Sequence, residues 1–318
     1  MSHEASLAAS PAPGDPLARA LTVATAVMTF IAIVAGANVT TTKSGDAIPT
    51  WPWGWFTSKP DVAIEMSHRF VAGVLVACVA ALLWAARRSG SPALRRLAFA
   101  CLAIVVLQAV LGGVRVLLGA KDEEHGWLPF FKVVHATLGQ TFYLLTICAT
   151  SLTSAWWGAT ERRRLDDAGL AMMRASGLAI FFMLLQILLG ALGRHAVLPR
   201  EVHAFFALIP MVLSARLVLV ASTDVPRDVE LFRGPSALLG FLTALQLALG
   251  IGAYIVVSET EDPLKRDVSQ IVTINAHVAI SAAMTGAAVS IAMRAVRLWG
   301  APTDERVADA RRALESES

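Results

Sequence analysis

The sequence predicts an all-α polytopic membrane protein with eight transmembrane helices, built as two tandem four-helix bundles related by an internal repeat. Three observations predict it. Of 318 residues, 56% are hydrophobic and 16% charged, well below the ~25% charge of soluble domains, and the mean hydropathy is +0.61. Apolar runs of about 20 residues, enough to cross the hydrocarbon core, occur eight times. A pattern of glutamine, glycine and histidine returns through the chain at nearly constant spacing.

The runs fall at 18–38, 62–86, 94–118, 130–156, 170–193, 201–221, 235–257 and 270–296, parted by Pro, Gly and charged residues. Residues 18–160 form the expected N-terminal bundle and 161–299 the C-terminal one. They are flanked by a disordered tail at 1–17, rich in Ala, Ser and Pro, and by a charged tail at 300–318. The first tail lacks the basic start of a signal peptide, so the first run reads as a retained anchor.

Orientation follows from Lys and Arg. One set of loops holds Arg87, Arg88, Arg95 and Arg96, then Arg162, Arg163, Arg164 and Arg174, and later Arg227, Arg233, Arg294, Arg297, Arg306, Arg311 and Arg312. The opposite loops carry Asp122, Glu123 and Glu124, then Glu259 to Asp262. Both termini are thus expected on the cytoplasmic side. A net charge of +3 without a basic, aromatic-laced stripe excludes nucleic acid as a partner. Cys78, Cys101 and Cys148 sit inside apolar runs and read as small buried hydrophobes, not as a disulfide or zinc framework.

The repeat is a helical hairpin. Gln108-Ala-Val-Leu-Gly112, Gln186-Ile-Leu-Leu-Gly190 and Gln246-Leu-Ala-Leu-Gly250 each lie toward the outer end of an odd-numbered run. A loop follows, and the next run opens with His135, His203 or His277. The first hairpin has Ala32 and Gly36 in the glutamine and glycine places, then His68. The four histidines are separated by 67, 68 and 74 residues.

One intramembrane histidine is usually a packing residue; four at equivalent positions point to ligation. Zinc wants a closed tetrahedral set, which separate bundles do not offer. A di-iron site needs two Glu-x-x-His motifs, and only Glu65-x-x-His68 is present. Haem needs one imidazole on each side, so His68 with His135 and His203 with His277 are the natural axial pairs. Six or seven residues into a helix places each about 10 Å below its end. From that depth propionates reach the outer surface, where Arg115, Lys132, Arg194 and Arg200, with Arg69, are candidate contacts to haem and its propionates. The glutamines read as interhelical packing groups, and Trp51, Trp53 and Trp55 as an interfacial aromatic belt. Glu65 is the asymmetric feature. A carboxylate beside a ligand occurs in the first bundle only, suggesting one reactive haem there and one electron-transfer haem in the second.

At these residues the chain resembles the haem A synthase family. The resemblance rests on Glu65-Met-Ser-His68-Arg69, Val39 to Gly45, Thr50-Trp-Pro52, Leu111-Gly-Gly-Val-Arg115, Gly190-Ala-Leu-Gly-Arg-His195, His203 and His277. It implies a bacterial inner-membrane oxidoreductase that oxidises a ring methyl of haem O to a formyl group, giving haem A for terminal oxidases. It further implies that His68 and His135 face the substrate haem O with Glu65 as the catalytic group, and that His203 and His277 ligate haem b. Implied partners are a haem O-producing farnesyltransferase and oxidase assembly factors. The outer loops here have no cysteine pair, unlike many bacterial members, and the first loop reads Lys43-Ser-Gly-Asp-Ala-Ile-Pro-Thr-Trp-Pro. A di-haem b cytochrome passing electrons, for example to or from quinone, uses the same four ligands and is the competing expectation. A repeat-built transporter would instead place its polar residues at the midplane.

Overall fold

Why eight apolar runs become eight spans is visible in their ends. The computed structural model describes residues 15–52, 54–55, 57–119, 126–226, 229–260 and 262–300. The expectations for the first fourteen residues, Trp53, Asp122 to His125, Arg227, Glu261 and the tail from 301 lie outside those residues. Ten α-helices are described: α1 Pro16–Thr41, α2 Pro60–Arg88, α3 Pro92–Gly119, α4 Leu128–Leu152, α5 Ala155–Ala159, α6 Asp167–Arg194, α7 Arg200–Phe206, α8 Leu208–Thr223, α9 Arg233–Glu259 and α10 Val268–Trp299. Among the described residues eight segments are long and apolar enough to cross a membrane, α7 and α8 together making the sixth.

Proline, whose missing N–H costs nothing in the first turn, opens α1, α2 and α4 within two residues. Asp15, Asp166 and Asp267 cap α1, α6 and α10 by accepting backbone N–H groups. At α10 the cap is a reciprocal box: Asp267 accepts from Gln270 N–H, and the Gln270 side chain accepts from Asp267 N–H. Hydrogen bonds from the Ser269 hydroxyl and the Gln270 amide hold the Asp267 carboxyl below its usual range. Its contribution is therefore present above its unfolded pKa and lost as pH falls through the lower folded value. Asp267→Asn should lower thermal stability near neutral pH, and the gap to wild type should close below about pH 4 in a melting series.

Two expected runs differ in detail. The run at 130–156 stops at Leu152, and Ala155 and Trp156 belong to the separate α5. The run at 201–221 is interrupted at Ala207, the C-cap of α7 and the N-cap of α8. Pro210 is the cause: it has no N–H for the Phe206 carbonyl, and its ring crowds that group.

Helices α1 to α4 form a ring of neighbours, α1 on α2, α2 on α3, α3 on α4 and α4 back on α1. Helices α6, α8, α9 and α10 form a second ring in the same way. The rings meet where α10 packs on α1 and α4, and α4 on α6. Threonines zip α1 to α4: Thr22 and Thr153 hydroxyls are 2.8 Å apart, and Thr150 donates to the Thr22 carbonyl. Such bonds suit a span, where water is not available as a partner. The second ring buries Met172, Met183, Leu217, Leu239, Ile291 and Trp299, with Trp299 stacked on Phe232 at 5.6 Å.

Candidate functional site

The four intramembrane histidines each lie against a glycine of the preceding odd-numbered span. A Cβ placed on Gly36, Gly112, Gly190 or Gly250 would meet Cε1 of His68, His135, His203 or His277 at 3.0, 3.5, 3.0 and 3.2 Å. The missing side chain is what admits the ring to the helix backbone. Four residues before each glycine, the carbonyls of Ala32, Gln108, Gln186 and Gln246 face the same rings. At His203 the contact is a full hydrogen bond, Nδ1 lying 3.1 Å from the Gln186 carbonyl and 3.0 Å from its side-chain amide. At His68, His135 and His277 it falls short of hydrogen-bond geometry, and Nδ1 is buried without a partner. The glutamines also hold the histidine helices directly. Gln108 and Gln186 donate to the carbonyls of His135 and His203, and the Gln246 amide lies 3.4 Å from Nε2 of His277.

The rings come together in twos. His203 and His277 stand 6.2 Å apart at their centroids, nearly perpendicular. His68 and His135 lie within electrostatic reach of each other in the first ring.

Glu65, one turn before His68, is the one buried carboxylate among the described residues. It accepts the Ile48 amide at 3.0 Å through Oε2 and Arg69 at 2.7 Å through Oε1. Arg69 in turn donates to the carbonyls of Thr50 at 2.6 Å and Ile48 at 3.1 Å. Arg115 of α3 donates to the Gly45 carbonyl. Trp51 lies over Gly113, where a Cβ would meet its ring at 2.7 Å. The loop after α1 is thus tied down over the end of the first ring by an ion pair, a second cation and an aromatic plug.

Arg194 crosses between rings. From the end of α6 it donates to the Ala37 carbonyl at 2.9 Å and the Thr41 hydroxyl at 2.6 Å, both on α1. Thr41 donates to Asn275, and Asn275 donates to Asn38. Arg200 donates to the Val257 carbonyl, and Lys132 is half-buried on α4. The turn presenting Arg194 is a Schellman motif: Val197 N–H bonds the Leu192 carbonyl at 2.9 Å and Ala196 N–H that of Gly193. Ala196 holds the left-handed position, φ 57°, normally glycine's. Ala196→Gly should therefore raise stability by about 0.5–1 kcal/mol, read as an upward shift in Tm.

This arrangement has relatives. Residues 56–198 match the sequence model of the family described as "Cytochrome oxidase assembly protein" (COX15-CtaA). A "Heme A synthase" of Symbiobacterium thermophilum is 39% identical over 113 residues, and one of Shouchella clausii is 33% identical over 110. Over this stretch the chain is similar to haem A synthases. The alignments take in 33% and 32% of this chain and 36% of each relative's length, so the chain is matched over about a third of those proteins. The family match contains Glu65, His68, Arg69, Arg115, Lys132, His135 and Arg194, and stops short of Arg200, His203 and His277.

The residues present fit haem, the group on which the haem A synthases' name rests. Each histidine is only half-buried although Nδ1 of His68, His135 and His277 is enclosed, so the accessible surface lies away from Nδ1. A metal–imidazole bond of about 2 Å on either side of one ion is compatible with the spacing of the His203 and His277 rings. Where Nδ1 donates to a backbone carbonyl, Nε2 keeps the lone pair a metal takes. Among the described residues no group of three or more His, Cys, Asp or Glu is placed to hold a metal.

Of the five candidate cations, four already bond backbone carbonyls: Arg69, Arg115, Arg194 and Arg200. Each guanidinium has five N–H groups, so a second anion contact is not used up. Sequence reasoning missed Asn38, Thr41, Asn275 and Arg266 at the ring junction, where Arg266 reaches the Thr41 carbonyl. It gave no site role to His195, which lies near Arg115, Lys132 and His135; burial and the cations around it hold its imidazole down to about 4, hence neutral. Intramembrane asparagines were the available signal for the junction.

Proposed function

We propose that this chain is a haem A synthase: it oxidises a ring methyl of haem O to a formyl group, giving haem A. One observation carries the reading. Each ring pairs two glycine-cradled histidines, and the buried carboxylate stands beside the first pair only. In this reading His68 and His135 hold the substrate haem O in the first ring, residues 18–160. His203 and His277 hold a resident haem b in the second, residues 161–299, and that group supplies one-electron redox chemistry.

The remaining roles belong to the chain's own atoms. The glycine cradles fix each imidazole plane and depth. The loop held by Glu65 and Arg69 closes the outer end of the first ring and limits water there. Glu65 itself, one helical turn from His68, holds negative charge next to the substrate edge and is the acid–base group within reach of it. Arg115, Lys132, Arg194 and Arg200 are offered to propionates. The reading places the protein in a bacterial inner membrane with both termini cytoplasmic, alongside a haem O-producing farnesyltransferase and oxidase assembly factors.

The test is purification of the full chain, a reduced-minus-oxidised spectrum, and extraction of the bound haems. Haem B together with haem O or haem A is the expected result. Protein that carries no haem, when expressed with haem O available, overturns it.

A further inference from the structure

We propose that the ring junction, at the end opposite the histidines, binds one anionic phospholipid: its phosphate on Arg294, Arg297 and Arg162, and one acyl chain in the groove between α1, α4 and α10. The inference does not depend on the haem reading.

It starts from the link between the rings. Trp156 and Trp157 of α5 are strapped to the end of α10. The Arg294 guanidinium lies 4.4 Å from the centre of the Trp156 ring, and Arg297 lies 5.9 Å from Trp157 while its Nε donates to the Trp157 carbonyl. Arg162 donates to the Gly300 carbonyl at 2.8 Å and lies within electrostatic reach of Arg297. Among the described residues none of these three has a carboxylate within ion-pair distance. Nε of Arg294 is buried with no partner. Arg162 and Arg297, with no counter-ion among the described residues, repel one another, and an anion set between them removes that cost.

The groove supplies the second half of the argument. It has a volume of about 380 Å³ and is lined by Val23, Val27, Phe30, Tyr143 and Ile147, with Ala283 from α10. Ala283, Gly286, Ser290 and Arg294 follow the i, i+3, i+7, i+11 spacing of one helix face. Gly286 faces Tyr143 and Ile147, and Ser290 bonds Arg294. One stripe of α10 therefore runs from the apolar groove to Arg294. A phosphate joined to a hydrocarbon chain matches both ends, with the tryptophans at headgroup depth. Basic pockets between spans are where anionic headgroups bind. A free phosphate matches only the cations. Along α1 the groove lies on the far side of Phe30 from Gly36 and His68, which separates it from the histidine sites.

The experiment measures lipid retained by the purified full chain, by native mass spectrometry after exchange into mixed vesicles of phosphatidylcholine with cardiolipin or phosphatidylglycerol. Wild type should retain anionic lipid over phosphatidylcholine. Arg294→Gln and Arg297→Gln should each reduce retention about fivefold, while Arg294→Lys should largely keep it. Ala283→Phe, which fills the groove and leaves every charge in place, should reduce it as well. Unchanged helical content by circular dichroism separates lost binding from lost fold. Equal retention by the Arg294→Gln/Arg297→Gln double variant, equal retention of phosphatidylcholine, full displacement by inorganic phosphate, or indifference to Ala283→Phe each overturns the proposal.

Discussion

Glu65→Gln is expected to lower haem A formation by about a hundredfold or more while leaving haem B in the purified protein. The side chain has two duties that this substitution separates. As a carboxylate it accepts the Ile48 amide and pairs with Arg69. Glutamine keeps an oxygen for Ile48 N–H but has no charge for Arg69, whose other bonds go to the Thr50 and Ile48 carbonyls. The loop should therefore stay closed, with hydrogen exchange of the Ile48 amide nearly as slow as in wild type. Glu65→Ala should instead lose both functions, because it also leaves the buried Ile48 amide without an acceptor, which costs about 1–3 kcal/mol. If haem A formation falls only when Ile48 exchange accelerates, Glu65 is a latch for the loop and has no chemical role. If Glu65→Gln makes haem A at the wild-type rate, the catalytic assignment is wrong altogether.

The glycine cradles give a graded series. Gly36→Ala and Gly190→Ala would set a Cβ 3.0 Å from Cε1 of His68 and His203, and in the second case also 3.1 Å from Nδ1. Both contacts are tight, so the ring must give by a few tenths of an ångström, which moves it off the carbonyl that faces it. Gly112→Ala meets His135 at 3.5 Å, an ordinary contact. We expect Gly190→Ala to purify with strongly depleted haem B, Gly36→Ala to fail in retaining the first-ring haem, and Gly112→Ala to keep both. Haem-to-protein ratios after extraction provide the measurement. Equal haem contents across the three would show that the cradles do not position the ligands.

Much of this could be read along the chain. The apolar runs, the proline and aspartate starts of the helices, and the glycine and histidine in each hairpin are local or periodic signals. They translate directly because a span must satisfy its own backbone. What the chain did not announce are contacts between residues far apart in it. Arg194 was expected to wait for a propionate, yet it bonds α1 across the ring boundary. Arg69, a candidate haem contact, also clamps the first loop. Nothing in its spacing shows this, because the partners are backbone carbonyls and any residue has one. The break at Ala207 was legible in Pro210 but easily lost in an otherwise continuous apolar run.

By itself the sequence determined the number of spans, their helical nature and the positions of four expensive histidines. These follow from hydrophobic length and from the cost of polar groups in lipid, which act on each segment separately. Tertiary structure alone decided what each histidine leans on, which of them face each other and what Glu65 holds. Those are questions of distance between helices, set by where a missing Cβ allows two backbones to approach. The glutamate beside the first histidine is distinctive in sequence. Its meaning as both the neighbour of His68 and the anchor of a loop exists only once α2 is packed beneath residues 44 to 52.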